Sequence, residues 1–245
     1  MICNSDNNHK QELKHLKMLC DYMVDGIFLS MAANSTEKEV EETINFLEDN
    51  KIPYCLIDRD MFDIGKYKIS VDHLQGAYLA TEHLIKLGHK KIGCITGPLI
   101  LDDARQRLAG YKQALKDNGI KIDENLIFEG DYSFEKGKIG CDNLLAKNIT
   151  AVFAANDFSA MGALASIKEH NLIVPRDISI VGYDDIAFAS LLEVPLTTVR
   201  QPIEAIGQKA TEVINQLVNS EENIDSKIII LEPKLIVRSS TKAIS

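Results

Sequence analysis

Ile178-Ser179-Ile180-Val181-Gly182-Tyr183-Asp184-Asp185 decides the fold. A largely apolar, β-branched run reads as a strand and gives way at once to an aromatic and two carboxylates. The same design recurs upstream. Ala151-Val152-Phe153-Ala154-Ala155 runs into Asn156-Asp157. Lys91-Ile92-Gly93-Cys94-Ile95-Thr96 runs into Gly97-Pro98 and then Asp102, Asp103, Arg105 and Arg107. Tyr54-Cys55-Leu56-Ile57 runs into Asp58-Arg59-Asp60. In open α/β sheets the carboxyl ends of parallel strands converge on one crevice, so such loops meet around one ligand. Carboxylates, an amide and arginines suit a neutral, polyhydroxylated molecule.

Working outward, strands and helices alternate almost throughout. Met1-Ile2-Cys3 reads as the tail of a strand. Helical spacing of Leu13, Leu16, Leu19 and Met23 predicts a helix over 9–23, followed by a strand at 26–30. Ser35 or Thr36 would cap a helix over 37–50. Strands follow at 54–58 and 67–71, then a helix over 73–87 with Gly88 suited to the left-handed position after it. Next come strand 91–96 with helix 103–118, strand 126–130 with helix 134–146, and strand 151–155 with helix 157–170. Asn171 and Pro175 stop that last helix. Strands 178–182 and 196–200, helix 203–219 and strands 227–231 and 234–238 complete the chain. This rhythm implies an α/β fold with mainly parallel sheets and helices on both faces. No Gly/Pro/Ser linker divides it, so two lobes would be joined by short crossovers.

The 245 residues suffice for two domains, and 45% hydrophobic content is that of a soluble globular protein. The net charge of −9 and the lack of a basic stripe argue against nucleic-acid binding by this stretch itself. Five scattered cysteines without a CxxC read as reduced core residues of a cytoplasmic protein. No apolar run spans a membrane, and the N-terminus is polar by its fourth residue, unlike a secretion signal. There is no P-loop, G-x-S-x-G or H-E-x-x-H, and no nucleophile with its base, so neither an enzyme nor a cofactor is expected. His83 and His89 are poorly spaced for a metal.

Each candidate residue also has a structural reading. Arg105 and Arg107 are either two solvated arginines at a helix start or include one that turns inward to donate a forked pair of hydrogen bonds. Asn156 is a good N-cap, Asp184-Asp185 good turn residues, and Asp58-Arg59-Asp60 a plausible surface ion pair. Tyr132, after strand 126–130, is a half-buried core tyrosine or a flat surface for a sugar's apolar face. Recurrence at strand ends favours the functional readings taken together.

Several segments, in order, resemble the ligand-binding core of the LacI/GalR family of bacterial transcription regulators. They are Glu82-His83-Leu84-Ile85-Lys86-Leu87-Gly88-His89-Lys90-Lys91-Ile92-Gly93, Arg107-Leu108-Ala109-Gly110-Tyr111, Ala154-Ala155-Asn156-Asp157, Asp177 through Asp185, and Leu196-Thr197-Thr198-Val199-Arg200-Gln201-Pro202. The match is most similar to the ribose-repressor and catabolite-control branch. It implies two Rossmann-like lobes of periplasmic-binding-protein type, over 1–72 with 203–230 and 73–202 with 231–245. Three crossovers would fall near Val71–Leu74, Gln201–Ile203 and Leu231–Lys234. It also implies ligand contacts at Asp58, Arg107, Tyr132, Asn156, Asp184 and Gln201, in a cleft between the lobes.

The function implied is the sensor of a sugar-responsive repressor, taking a small sugar such as ribose and acting as a homodimer. A phosphoprotein corepressor is compatible with the catabolite-control likeness. The family's helix-turn-helix has no counterpart here, so operator DNA would be reached only through an N-terminal domain outside this sequence. The first strand and helix of the first lobe also lack a counterpart, as in a truncated regulator. Stripping cover from several buried side chains, at about 1.5–3 kcal/mol each, would weaken that lobe by on the order of 10 kcal/mol. The alternatives are a transporter's sugar-binding protein and a truncated regulator without function.

Overall fold

The computed structural model describes residues 1–33, 35–59, 62, 64–219 and 227–244. The chain folds as two compact units, Met1–Val71 with Pro202–Leu231, and Asp72–Gln201 with Glu232–Ser245. Among the described residues, no helix is long and apolar enough to cross a membrane.

Unit 1 holds α1 (His9–Asp21), β1 (Ile27–Leu29), α2 (Glu37–Asp49), β2 (Tyr54–Ile57), β3 (Tyr67–Val71), α7 (Ile203–Asn219) and β9 (Lys227–Leu231). Its sheet runs β1-β2-β3-β9, all parallel. Side chains alternate across a strand, so β2 sends Tyr54 and Leu56 into a core with α1 and α2. Cys55 faces the other way and packs with Ile206, Ala210 and Val213 of α7. Helix α2 begins with a capping box, in which the Thr36 hydroxyl accepts from the Glu39 amide and the Glu39 carboxylate accepts from the Thr36 amide.

Met1-Ile2-Cys3, expected as a strand tail, lies outside the sheet. A strand persists only where its backbone groups are paired. Among the described residues, β1 pairs with β2 on one side only. A cavity of 920 Å³ is lined by residues 1–7 and by Gly26 to Ser30. Among the described residues Met1-Ile2-Cys3 pairs with no strand, and Ile2 is fully exposed.

Unit 2 holds α3 (His73–Lys86), β4 (Ile92–Thr96), α4 (Asp102–Asp117), β5 (Ile127–Glu129), α5 (Phe134–Leu145), β6 (Ala151–Ala154), α6 (Asp157–Glu169), β7 (Ser179–Asp184), β8 (Thr197–Arg200) and β10 (Lys234–Ile236). The sheet order is β10-β8-β7-β6-β4-β5, and only β10 is antiparallel. Ile92, Cys94, Phe153, Val181 and Tyr183 pack on one face with Ala77, Leu84 and Tyr111. Ile95, Val152, Ala154 and Ile180 pack on the other with Leu144, Ala163 and Ile167. Helices α5 and α6 approach closely because Gly162 has no side chain. A Cβ there would lie 2.0 Å from the Phe134 carbonyl oxygen.

The last residues are stitched onto this sheet. The Ser240 hydroxyl accepts from the Thr197 amide and donates to the Ile180 carbonyl, at 2.8 and 2.7 Å. His89 is buried beside the Thr150 and Ser179 hydroxyls and the Lys242 carbonyl.

Candidate functional site

Five adjacent parallel strands, β8-β7-β6-β4-β5, each lead to one candidate residue, four at or shortly after the strand's carboxyl end and the fifth on the helix that follows β4. Gln201 follows β8, Asp184 ends β7, Asn156 follows β6, Arg107 lies in the helix after β4, and Tyr132 follows β5. The local fold brings all five together. Arg107, 5% exposed, is the centre. Its Nη1 donates to the Ala155 carbonyl at 2.6 Å and lies 3.6 Å from the Asp184 carboxylate. Its guanidinium carbon sits 3.9 Å from the ring centroid of Tyr183 and 5.5 Å from that of Tyr132. The two arginines thus separate. Arg105 stays on the surface, donating to the Leu99 and Ile100 carbonyls and pairing with Asp102, whereas Arg107 turns inward.

The other members join this centre. Gln201 Nε2 donates to Asp184 Oδ1 at 2.7 Å, and Asn156 Nδ2 donates to the Tyr132 carbonyl at 3.0 Å. Asn156 Oδ1 also accepts from the Ser159 amide, so this residue caps α6 and braces the loop after β5 at once. Tyr132 has room because Gly97 faces it. A Cβ on Gly97 would lie 2.1 Å from the phenol carbon Cζ.

The Asp184-Asp185 pair divides its labour. Asp184 faces Arg107 and Gln201. Asp185, nearly buried, accepts from Arg200 Nε and Arg238 Nη2, both at 2.6 Å, and so ties β7 to β8 and the C-terminal segment.

Three residues outside the sequence-derived set belong to the cluster. Asp103 Oδ2 accepts from the Tyr132 hydroxyl at 2.5 Å and lies 3.7 Å from Arg107 Nη2. His73 Nδ1 lies 3.2 Å from the Tyr183 hydroxyl and 3.4 Å from Arg107 Nη2. Asp103 had a detectable signal, since it precedes Arg107 by four residues on a helix and so shares its face. His73 and Tyr183 are separated by 110 residues, and nothing local in either announces the contact.

Electrostatics keep the centre charged. Burial alone would lower the Arg107 pKa, but Tyr132, Asp184, Tyr183 and Asp103 together hold it above the usual arginine value. Burial pushes the Tyr132 phenol well up, against the pull of Arg107, so it stays protonated. Beside the cluster, burial raises the Asp157 carboxyl to about 7, opposed by hydrogen bonds from Thr198 and Ile186.

Asp58 belongs to unit 1, directly after β2, where its amide donates to the Ile69 carbonyl at 2.8 Å. Its neighbour Arg59 donates to the Met31 carbonyl and to Asn7, and Asp60 lies outside the described residues. Asp58, Tyr132 and Asp184 all have positive φ, at 70°, 69° and 108°. Left-handed Met23, Lys51 and Asn171 occupy ordinary positions after helices. Non-glycine residues held this way at strand ends mark positions where backbone cost is tolerated to aim a side chain.

Residues 81–241 match the family model of the periplasmic binding protein-like domain. The PurR transcriptional repressor of Pasteurella multocida is 36% identical over 99% of this chain and 72% of its own length. The chain belongs to the LacI family of transcription regulators. The ribose operon repressor of Haemophilus influenzae is 35% identical, over 98% of this chain and 71% of that protein. A ribose-bound LacI-family regulator from Enterococcus faecium superposes with a TM-score of 0.85 at 27% identity, covering 100% of this chain and 88% of that one. This LacI-family chain is thus a ligand-binding domain of periplasmic-binding-protein type, and its relatives are regulators rather than enzymes.

Proposed function

We propose that this domain is the sensor of a cytoplasmic repressor and binds a small neutral sugar, with ribose the first candidate. One observation carries the reading. Five parallel strands in a row each supply one polar or aromatic residue, and the five form one connected cluster around the buried Arg107. Such a set of hydroxyl acceptors, amides, a guanidinium and an aromatic face is what a polyol requires at the carboxyl edge of a sheet. Arg107, Tyr132, Asn156, Asp184 and Gln201 are the contacts in unit 2. The family resemblance assigns Asp58 to the ligand as well. The names of the ribose operon repressor and the ribose-bound regulator favour a pentose.

Ligand binding would shift the protein between states of different operator affinity, by the difference in its affinity for those states. Operator contact, in this reading, belongs to a part of the protein outside these 245 residues. A second copy of the chain is the partner that suits unit 2. An apolar groove of 360 Å³ is lined by Phe134, Met161, Leu164, Leu172, Ile173 and Val174, and Leu191, next in sequence to the lining residue Leu192, is exposed.

Calorimetric titration with ribose, other pentoses, hexoses and cellobiose tests the function. Saturable binding of at least one sugar is expected. Asp184→Asn and Tyr132→Ala should each weaken it about tenfold or more, since a charge-assisted hydrogen bond contributes roughly 1.5–3 kcal/mol. Asp58→Ala tests the unit 1 contact separately. Absence of heat with every sugar would refute the reading.

A further inference from the structure

We propose that Asp103 determines specificity at this site, selecting an uncharged sugar over the phosphorylated or carboxylated form of the same sugar. The inference rests on the sugar-binding reading above and narrows it. Three observations carry it.

First, one guanidinium serves two carboxylates. Arg107 Nη2 is 3.7 Å from Asp103 and Nη1 is 3.6 Å from Asp184. The three side chains together carry one net negative charge, in a place where Arg107 is buried and screening by water is weak.

Second, the unit has no uncommitted arginine for an anion. Its five arginines are all paired: Arg105 with Asp102, Arg107 with Asp103 and Asp184, Arg176 with Asp177, and Arg200 and Arg238 with Asp185.

Third, several donors of the cluster are each partly committed to protein oxygens, while Arg107 Nε, buried and without a hydrogen-bond partner among the described residues, is the donor left for a ligand oxygen. Arg107 Nη1 serves the Ala155 carbonyl, and the Tyr132 hydroxyl serves Asp103. Asn156 Nδ2 serves the Tyr132 carbonyl, and Gln201 Nε2 serves Asp184. A phosphate or carboxylate offers only acceptors and cannot pair with the Asp103 and Asp184 carboxylates that flank Arg107. A sugar hydroxyl both donates and accepts, so it can be accommodated.

Asp103 acts at two of these points. It takes a share of the Arg107 charge, and it fixes the Tyr132 hydroxyl so that the ring presents its face and the phenol oxygen only its lone pairs. Asparagine at this position keeps an oxygen to accept from Tyr132 and removes the charge. Alanine removes both. The two variants therefore separate charge selection from ring positioning.

The test titrates wild type, Asp103→Asn and Asp103→Ala with D-ribose and D-ribose 5-phosphate, and with D-glucose and D-glucose 6-phosphate, at low ionic strength and neutral pH. Wild type should prefer the neutral member of whichever pair binds by about tenfold or more, the scale of one unit charge acting through a partly screened site. Asp103→Asn should erase most of that preference, read as the ratio of neutral to phosphorylated affinity falling about tenfold whatever the change in neutral-sugar affinity itself. Asp103→Ala should weaken both. A loss of packing alone would not alter the ratio. An unchanged ratio in Asp103→Asn, or a wild type that takes the phosphorylated sugar as tightly, overturns the assignment.

Should no sugar of either kind bind, it is the sugar reading that fails, and inorganic phosphate then decides the role of Asp103. Phosphate that moves the Tyr132 ring resonance in Asp103→Asn and not in wild type supports anion exclusion. Equal response, or none in both, overturns it.

Discussion

Asp157→Asn tests the physical account of unit 2 at a buried carboxyl. Asp157 is fully buried at the start of α6. Its Oδ1 accepts from the Thr198 hydroxyl at 2.6 Å and its Oδ2 from the Ile186 amide at 2.9 Å. Burial raises the pKa from 3.8 to about 7, the two hydrogen bonds lower it, and nearby Asp184 and Asp185 add to the rise. The folded state therefore holds a proton that the unfolded chain has already lost. Stability from this group is full below the unfolded value and falls as pH rises through about 7. Across pH 5 to 8 that loss comes to roughly 2–3 kcal/mol. Asparagine has no charge to bury. Its oxygen can accept from the Ile186 amide, and the Thr198 hydroxyl can turn to accept from its nitrogen. Urea melts followed by circular dichroism at several pH values in this range give the answer as a difference between variant and wild type. The variant should gain on wild type by about that amount as pH rises. A difference that stays flat, or shrinks, refutes the burial argument.

Other expectations follow from particular contacts. Gly97→Ala places a methyl against the Tyr132 ring, costing about 1–3 kcal/mol of stability and weakening sugar binding; Gly97→Ala with Tyr132→Ala should recover the stability in melts but not the binding in titrations. Leu191→Lys, at a side chain 75% exposed beside the apolar groove, should shift sedimentation from dimer toward monomer while leaving sugar affinity unchanged in unit 2. Amides of β1 should exchange with solvent well before those of β6, because β1 has one paired edge and a cavity alongside whereas β6 is buried between β4 and β7; equal protection would contradict this. Acidification below the ordinary histidine pKa should loosen the C-terminal segment, since burial lowers the His89 pKa and its neutral form fits the contacts with Thr150, Ser179 and Lys242. Hydrogen exchange at Lys242, whose amide donates to the Ser179 hydroxyl, reads that loosening directly.

Much of this architecture was legible from local pattern. Alternation in Tyr54-Cys55-Leu56-Ile57 and in Ile92-Gly93-Cys94-Ile95 corresponds to sheets covered on both faces. The polar residues after each run mark the carboxyl ends of strands, and the fold gathers five of them because those strands are neighbours and parallel. What remained hidden depends on partners far along the chain. Asp184 and Asp185 look alike as turn residues. They differ only because Arg200 and Arg238 converge on Asp185, from β8 and from beyond β10. Asp103 looks like a helix-start carboxylate, and its bond to Tyr132 spans 29 residues. Met1-Ile2-Cys3 has strand-forming residues, yet strand structure needs an adjacent backbone, which a local pattern does not report.

The most direct test of the central claim is a crystal structure of the chain with whichever sugar binds in titration. The account predicts the sugar against the Tyr132 ring, hydrogen-bonded to Arg107 and Asp184, with Asn156 and Gln201 at its margins. A sugar lodged instead in the cavity beside β1, or elsewhere on unit 2 with the Arg107 cluster untouched, would contradict it.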